Sequence, residues 1–430
     1  MTEEEKKKAN KCLTYGVMLG MLVFGSANTL VQDYQNQSVA LGNYFTHPYF
    51  QAGIMFAGEF SVFIAYGFKK WRIAREAAKN PEKAKMLLSP GTQQAGEKQL
   101  KMNCNPLLLA IPAFCDFCGS TLMFIALTMV PASVYQMMRG FINVVTPFLS
   151  IIFLKRRQYA HHWFGVICIV LGVAGVGAVA MVYDTDTNTG GSVGFGIVLI
   201  LVAQFFTGAL FIVEEYFLGD YYLDPMKVVG LEGMWGLMYY MAVLPIMQGI
   251  KCGGDKLCQF GYLENSAYAF DQMGDNHVII WLSLGMMLSI AFFNVCGVTT
   301  SKVASAAQRA TIDTSRTLVI WIMSILLKLE VGHWESIFGF IFLVFGTLVY
   351  NEILVLPFFG LDQNTKEKLE ERNAAEKRNA NYMNTSPGAA YSASRNQRLL
   401  QKNQDQHFDN VDGDDQDFDM NHSTSDAGAR

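Results

Sequence analysis

Charged side chains are scarce in this chain: Asp, Glu, Lys and Arg make up 16% of its 430 residues, whereas apolar types make up 51%. A soluble chain of this length would divide into two or more domains with charged surfaces. Instead, apolar blocks of about 20 residues recur from Cys12 to Leu356, and each is long enough to cross a hydrocarbon core of about 30 Å. We therefore expect an integral membrane protein in contact with a lipid bilayer.

Enzyme signatures are also missing. The sequence contains no P-loop, no G-x-S-x-G and no H-E-x-x-H pattern, which argues against an ATP-driven pump and against an enzyme. His161 and His162 adjoin a basic loop and not a group of carboxylates, while Cys115 and Cys118 lie inside an apolar block. We expect neither a metal nor a cofactor.

Nucleic acid is not an expected partner, because the formal net charge is −4 and the basic and acidic segments are separated along the chain. The polar stretch 357–430 ends in the acidic run DNVDGDDQDFDM, which lacks the ligand spacing of an EF-hand. Its composition predicts a largely disordered tail.

Ten apolar blocks are predicted to span the membrane. They lie at about 12–31, 49–68, 106–129, 132–154, 162–183, 193–217, 228–250, 277–298, 303–327 and 334–356. Because ten is even, both termini share one side, and that side collects the N-terminal lysines, the basic 69–101 loop and Lys155-Arg156-Arg157. The opposite side receives only Lys251, Lys256 and Lys328. The positive-inside rule therefore predicts cytosolic termini.

Weak internal similarity divides the chain into two halves. Gly165 and Gly339 are 174 residues apart, as are Gly172 and Gly346, while Glu59 and Glu232 are 173 apart; Arg139 lies nearly opposite Asp313. Five spans per half insert the second half upside down, which is the inverted repeat of many secondary transporters. The glycines themselves indicate close helix packing.

The predicted fold is therefore all-α, with ten transmembrane helices arranged as two inverted five-helix repeats. The organisation runs from a cytosolic N-terminus (1–11) through a first repeat (12–183, with a cytosolic loop at 69–105), a lumenal connector (184–192) and a second repeat (193–356) to a disordered cytosolic tail (357–430).

Three charges on the ninth span organise the predicted site. At about 100° per residue, Arg309, Asp313 and Arg316 fall within an arc of roughly 60°. Each costs roughly 2.5–3.5 kcal/mol at the centre of a membrane helix, so this face is expected to look into a cavity. In one interpretation Arg309 pairs with Asp313 at i,i+4 and Arg316 joins two helices. In the other, at least one arginine binds an anionic group, since a guanidinium fork fits carboxylate and phosphate.

We expect a midplane cavity lined by spans two, three, four and nine. Its substrate-binding candidates are Arg316, Arg309, Asp313, Arg139, Gln136 and Asn294. Glu59 and Asp116 are the coupling or gating candidates, because a carboxylate that titrates on desolvation can couple proton movement to transport.

Other intramembrane charges support a structural network. The central positions hold three acids and three bases, a balance that favours mutual pairing. Glu214, Glu215 and Glu232 lie nearer the cytosolic ends of their spans, where we expect them to reach water.

Cys252 and Cys258 share a hydrophilic loop that the topology places in the lumen. An oxidising compartment would permit a disulfide between them, and the sequence leaves both the bridged and the free state open.

Several motifs resemble the F subfamily of solute carrier family 35, within the drug/metabolite transporter superfamily, and most closely its member-six type. The matching pieces are GSANTL (25–30), HPYFQAGIMFAGEFS (47–61), IPAFCDFCGSTLMFIAL (111–127), SVYQMMRG (133–140), VEE (213–215), VVGLEG (228–233) and SIAFFNVCGVTTSK followed by IDTSRTLVIW. The resemblance implies the ten-helix EamA-like fold in a lysosomal or Golgi-type endomembrane. Better-known relatives carry nucleotide sugars.

Together these features predict a secondary transporter of a small anionic organic solute that works by alternating access. The alternative is a transporter-fold membrane scaffold or sorting partner without transport activity. The sequence leaves a homodimer open.

Overall fold

A computed structural model describes most of the first 358 residues and short pieces of the tail. The described ranges are 3–79, 101, 104–127, 129–130, 132–183, 193–251, 261–326, 334–358, 360–365, 368–369, 371–376 and 378. The chain divides into one unit from Met1 to Leu356 and a second from Pro357 to Arg430.

The first unit is built from helices. They are α1 (Glu3–Gln37), α2 (Pro48–Lys79), α3 (Ala110–Leu127), α4 (Ala132–Met138), α5 (Ile142–Leu154), α6 (Ala160–Tyr183), α7 (Val193–Asp220), α8 (Pro225–Gly249), α9 (Ser266–Asp275), α10 (His277–Val303), α11 (Ala306–Leu326) and α12 (Trp334–Tyr350). Two short strands, β1 (Val39–Ala40) and β2 (Asn43–Tyr44), pair antiparallel between α1 and α2.

Within the described ranges, seven segments are long and apolar enough to cross a membrane: Leu13–Gln37, Pro106–Leu127, Val134–Leu154, Ala160–Val182, Val193–Asp220, Pro225–Gly249 and His277–Val303. The prediction of an all-helical, multi-span protein is therefore confirmed. The other three predicted spans lie in α2, α11 and α12. Charges make α2 and α11 less apolar, and α12 is only 17 residues long, so the number ten stays a prediction.

The outer surface of the helices is apolar. Ile64, Trp281 and Phe338 are more than 70% exposed, and many other large apolar side chains share this surface. Soluble proteins rarely leave so much contiguous apolar surface in water, whereas lipid tails cover it without cost. The exposed residues therefore fit a bilayer environment.

Four helix pairs make the most extensive contacts: α6 with α12, α2 with α8, α1 with α10, and α3 with α7. Glycines allow the first pair to touch through their backbones. A Cβ added to Gly165 would lie 2.8 Å from the carbonyl oxygen of Gly346, and one added to Gly172 would lie 2.6 Å from that of Gly339. These glycines thus serve the close packing that their spacing predicts.

The fourth predicted span is not one regular helix. A 3₁₀ turn at Arg139–Phe141 joins α4 to α5, and Pro147 lies inside α5. Gly140 brings this turn against α12, where an added Cβ would lie 2.4 Å from Cδ1 of Leu343. A 3₁₀ segment within a helix often marks a hinge. Here it carries Arg139 at the wall of the candidate site.

In the second unit, the described residues between 368 and 378 are helical. Nζ of Lys368 lies 2.5 Å from Oδ2 of Asp362, and this hydrogen bond holds the pKa of Asp362 below its usual value. The prediction of a largely disordered tail at 357–430 allows a helix in this lysine- and glutamate-rich part, where the described residues are helical. The remainder of that prediction lies outside the described residues.

Candidate functional site

A cavity of about 100 Å³ lies among α1, α3, α4, α7, α10 and α11, with Met55 contributed by α2. Its polar and charged lining residues are Asn28, Thr29, Gln32, Asp116, Ser120, Tyr135, Arg139, Gln204, Thr207, Asn294, Arg309, Asp313 and Arg316. Pockets for drug-sized ligands usually measure about 300–1,000 Å³, so this conformation has room for a few waters or a very small solute.

The structure brings most of the predicted binding residues to this one cavity. Arg316, Arg309, Asp313, Arg139 and Asn294 line it, whereas Gln136 is buried and is not among the lining residues. The predicted wall did not include α1 and α7, and from α10 it included Asn294 alone. Their contributions are mostly neutral polar side chains, which carry no intramembrane charge signal.

Arg309 is paired with an acid on another helix. Its Nη1 donates to Oε2 of Glu214 on α7, and its guanidinium lies 4.0 Å from the ring centroid of Phe211. The pairing of Arg309 with Asp313 along α11, one of the two interpretations, is therefore not the observed one. Arg309 is only 2% exposed, so its counter-charge has to lie inside the bundle.

Two arginines share Asp313. Nη2 of Arg139 donates to Oδ2 of Asp313 at 3.4 Å, and Nε of Arg316 lies 2.9 Å from Oδ1. The second contact is an ion pair without hydrogen-bond geometry, because neither Nε nor Oδ1 has a hydrogen-bond partner within the described residues. One carboxylate thus neutralises two guanidiniums only in part.

The other contacts of Arg316 are uncharged. Nη1 donates to the carbonyl oxygen of Gly25 at 3.2 Å, and the guanidinium lies 4.6 Å from the ring centroid of Phe293. Gly25 is required for this approach, since an added Cβ would lie 2.8 Å from Nη1. Arg316 is therefore held by α1 and α10 while its positive charge remains partly unbalanced beside the cavity.

Among the described residues, neither coupling candidate forms an ion pair with a base. Asn294 Nδ2 donates to Oε1 of Glu59 at 2.6 Å, and Ser120 Oγ donates to Oδ1 of Asp116 at 2.8 Å. Asp116 lines the cavity, while Glu59 lies behind Asn294 and is 1% exposed. The expected mutual pairing of the six central charges is therefore wrong for these two acids, because the arginines have other partners.

The three glutamates expected to reach water are buried. Glu214 and Glu232 are 1% and 4% exposed, and Glu215 is 9% exposed. Glu215 binds Arg156 and accepts a hydrogen bond of 2.8 Å from the N–H of Ala306, at the start of α11. A carboxylate is stabilised at this end of a helix by the unpaired N–H groups. Position along the span was misleading because α10 and α11 cover the end of α7.

Two histidines lie beside a carboxylate that the sequence places far away. Nε2 of His161 lies 3.0 Å from Oε1 of Glu352, and the rings of His161 and His162 are 4.0 Å apart. The expectation that these histidines have no carboxylate nearby is wrong, because α12 returns Glu352 to the start of α6. Nδ1 of His162 accepts a 3.3 Å hydrogen bond from the N–H of Tyr159. This nitrogen is thus already used, and we assign no metal here.

The predicted cysteine pair lies in a part of the chain that the structure does not describe. Cys252 and Cys258 lie outside the described residues. Cys104, Cys115, Cys118, Cys168 and Cys296 carry free thiols.

A multi-span helical protein with a charged internal cavity has the architecture of a membrane transporter. Comparison with known proteins agrees with this class. Residues 84–178 match the model of the EamA-like transporter family. The chain is 34% identical over 338 residues to solute carrier family 35 member F6 of Homo sapiens, covering 77% of this chain and 86% of that protein. It is also 34% identical over 358 residues to the protein of the same name from Pongo abelii, covering 82% and 92%.

The chain belongs to solute carrier family 35, in its F subfamily, as the motifs indicate. It is a multi-span integral membrane protein, and its family points to transport and not to catalysis.

Proposed function

We propose that this protein is a secondary transporter that moves a small anionic organic solute across an endomembrane by alternating access. The observation that carries the proposal is the shared carboxylate of Asp313. It faces both Arg139 and Arg316 at the cavity wall, which leaves one positive charge in excess at this point. An anionic solute supplies the missing negative charge.

Guanidinium chemistry favours carboxylate or phosphate as the recognised group. Both arginines are largely buried, so water screens their charge only weakly. A fork of N–H donors fits the two oxygens of such an anion, and charge-assisted hydrogen bonds are about twice as strong as neutral ones. The polar neighbours Asn28 and Gln204 offer further donors and acceptors for the remainder of the solute.

The cavity is small in the described conformation. About 100 Å³ is too small for a nucleotide sugar, so entry of a solute of that size needs helix movement. The 3₁₀ turn at Arg139–Phe141 lies where a rearrangement would move one of the two arginines. Opening on alternate sides would expose the same charged wall to each compartment.

The helix contacts support the proposal of two inverted repeats. If α1, α2, α3, α4–α5 and α6 correspond to α7, α8, α10, α11 and α12, two of the extensive packing pairs, α2–α8 and α6–α12, map onto themselves. The other two, α1–α10 and α3–α7, map onto each other. The Gly165–Gly346 contact likewise maps onto Gly339–Gly172. This correspondence is expected of two equivalent halves that surround a central site.

With ten spans, the topology follows from the loop charges. We place residues 1–11, the 69–105 loop and the tail at 357–430 in the cytosol, and the 184–192 connector in the lumen. The two repeats then comprise 12–183 and 193–356. A lysosomal or Golgi-type membrane is the proposed location, and a homodimer is compatible with the apolar outer surface.

The scaffold alternative predicts paired central charges and no cavity. Here Glu59 and Asp116 contact neutral partners, and a cavity exists. Both features favour transport, because a purely structural protein gains nothing from buried acids without counter-charges.

Ligand binding tests the proposal directly. Purified full-length protein would be screened for thermal stabilisation by nucleotides, nucleotide sugars and organic acids, since a ligand of the folded state raises stability by RT ln(1 + [L]/Kd). Reconstituted vesicles would then be assayed for uptake of the stabilising compounds. We expect stabilisation by at least one anion and its accumulation in vesicles. No response across the panel together with no uptake would contradict the proposal.

A further inference from the structure

The helices α2 and α8 touch through their backbones at one crossing. A Cβ added to Gly233 would lie 2.3 Å from the backbone nitrogen of Phe60 and 2.7 Å from the carbonyl carbon of Glu59. Contacts of Gly230 with Phe63 and of Gly236 with Phe56 run in the opposite order along the two helices, so the helices are antiparallel. The crossing therefore places Glu59 beside Gly233, the residue that follows Glu232.

Glu232 is buried without a hydrogen-bond partner for one of its oxygens. It is 4% exposed, and its Oε1 is unpartnered among the residues that the structure describes. Glu59 is 1% exposed and accepts one hydrogen bond, from Asn294. Burial of an ionised carboxylate without hydrogen bonds or a counter-ion is very costly, whereas the neutral acid avoids most of that cost.

The charges that face Glu232 are mostly of its own sign. Glu59 on α2, Asp116 on α3 and Glu214 on α7 lie within electrostatic range, and Arg309 on α11 is the cation that accompanies them. Arg309 already binds Glu214. Carboxylates that share a poorly solvated site cannot all ionise, so protons must remain on some of them. Glu232 has the fewest contacts that would stabilise a negative charge.

We propose that Glu232 is a proton-binding site beside the α2–α8 crossing. The neutral carboxyl group holds the proton, and its release leaves the carboxylate. Glu59, on the facing helix, accepts a hydrogen bond from Asn294, which lines the cavity.

The proposed inverted repeat gives the two acids equivalent places. Glu59 and Glu232 are 173 residues apart, and their helices α2 and α8 correspond. When the two halves exchange conformations, the environments of the two acids exchange as well. This pair deepens the transport function proposed above, on which its physiological use rests, by naming the proton as the coupling ion.

Infrared spectroscopy of the full-length protein in lipid nanodiscs tests proton binding without any substrate. A protonated carboxyl group has a carbonyl stretching band that is separate from the carboxylate bands and shifts in heavy water. We expect this band in the wild type at neutral pH. Glu232→Gln should remove intensity equal to about one carboxyl group, and alkaline pH should remove it from the wild type. Unchanged band intensity in Glu232→Gln would overturn the proposal.

The matched control is Glu264→Gln. Glu264 is also buried at 3% exposure, but its oxygens accept hydrogen bonds from the N–H groups of Tyr49, Phe50 and Asn265 and contact His47. Both of its oxygens thus have partners, unlike those of Glu232, and this variant should leave the protonated band intact. A loss of equal size in the control would overturn the assignment to Glu232.

A second variant covers the case in which Glu232→Gln fails to fold. Glu232→Asp keeps a carboxyl group and should shift the band in frequency while retaining its intensity; an unshifted band would overturn the assignment. The readout is also independent of transport. If the protein moves no solute but shows the band, the proton site stands and the transport proposal fails. If it transports a solute but lacks the band, the transport proposal stands and the proton site fails.

Discussion

Arg139 and Asp313 are 174 residues apart in sequence, and Nη2 of Arg139 donates a 3.4 Å hydrogen bond to Oδ2 of Asp313. The same offset relates Gly165 to Gly339, whose helices pack together. The ion pair thus joins corresponding positions of the two proposed repeats, on the wall of the cavity. Arg316 brings a second positive charge to Asp313.

Removal of the shared carboxylate should destabilise the protein. Asp313→Asn keeps the side-chain shape but leaves Arg139 and Arg316 without their common counter-charge, and breaking a buried pair in this way typically costs about 3–5 kcal/mol. Unfolding of the purified protein by denaturant in detergent measures the change. Asp224→Asn is the control, since it breaks the exposed pair with Lys69 and keeps an N-cap residue, at a cost below about 1 kcal/mol. Equal losses in the two variants would contradict the assigned role of Asp313.

The contact between α6 and α12 should be sensitive to single methyl groups. Gly165→Ala places Cβ 2.8 Å from the carbonyl oxygen of Gly346, and overpacking of this kind typically costs about 1–3 kcal/mol. Gly67→Ala in α2 meets no atom within 4 Å, so there the better helix propensity should stabilise by up to about 1 kcal/mol. Thermal unfolding of both variants gives the comparison. A stabilising effect of Gly165→Ala would show that the two helices do not pack this closely.

The sequence identifies the polar face of α11 because charge in an apolar block is conspicuous. It does not identify the ion-pair partners of these charges, since Arg309 pairs with Glu214 and not with Asp313, which lies four residues further along its own helix. This pairing depends on how α7 packs against α11, and the spacing of residues along one helix carries no information about that packing. The two consecutive acids in the VEE segment were the available signal, because buried arginines require buried carboxylates.

The sequence also does not predict that Glu232 is buried. Its position near the cytosolic end of the span predicts contact with water, but in the structure it is buried beside the close α2–α8 crossing at Gly233. The helix pattern itself was predictable from long apolar runs. The break at Arg139–Phe141 was not, because only the packing of Gly140 against Leu343 shows why the chain tightens there.

Engineered glycosylation sites test the proposed orientation. With cytosolic termini, an acceptor sequence placed in residues 262–272 faces the lumen and should be modified. One placed in residues 80–95 should stay unmodified, since the positive-inside rule predicts that this basic loop is cytosolic. A mobility shift that is reversed by glycosidase reports each result. Modification of the 80–95 site alone would overturn the topology.

Thiol labelling decides between the two states of the loop cysteines. If Cys252 and Cys258 form a disulfide in an oxidising lumen, a thiol reagent applied to the denatured protein should label them only after reduction. Mass spectrometry of the peptides identifies the labelled positions. Cys168, a buried free thiol, should react after denaturation without reductant and serves as the control. Labelling of Cys252 and Cys258 before reduction would show that they are free.

The role of Arg316 is the central claim, and Arg316→Lys tests it most directly. Lysine keeps the positive charge beside Asp313 but loses the planar pair of donors, so anion binding should weaken while folding is retained. The measurement is ligand-induced thermal stabilisation of wild type and variant by the same anion, with unliganded stability checked in parallel. We predict stabilisation of the wild type and little or none of the lysine variant. Equal stabilisation of both would contradict a substrate-binding role for Arg316.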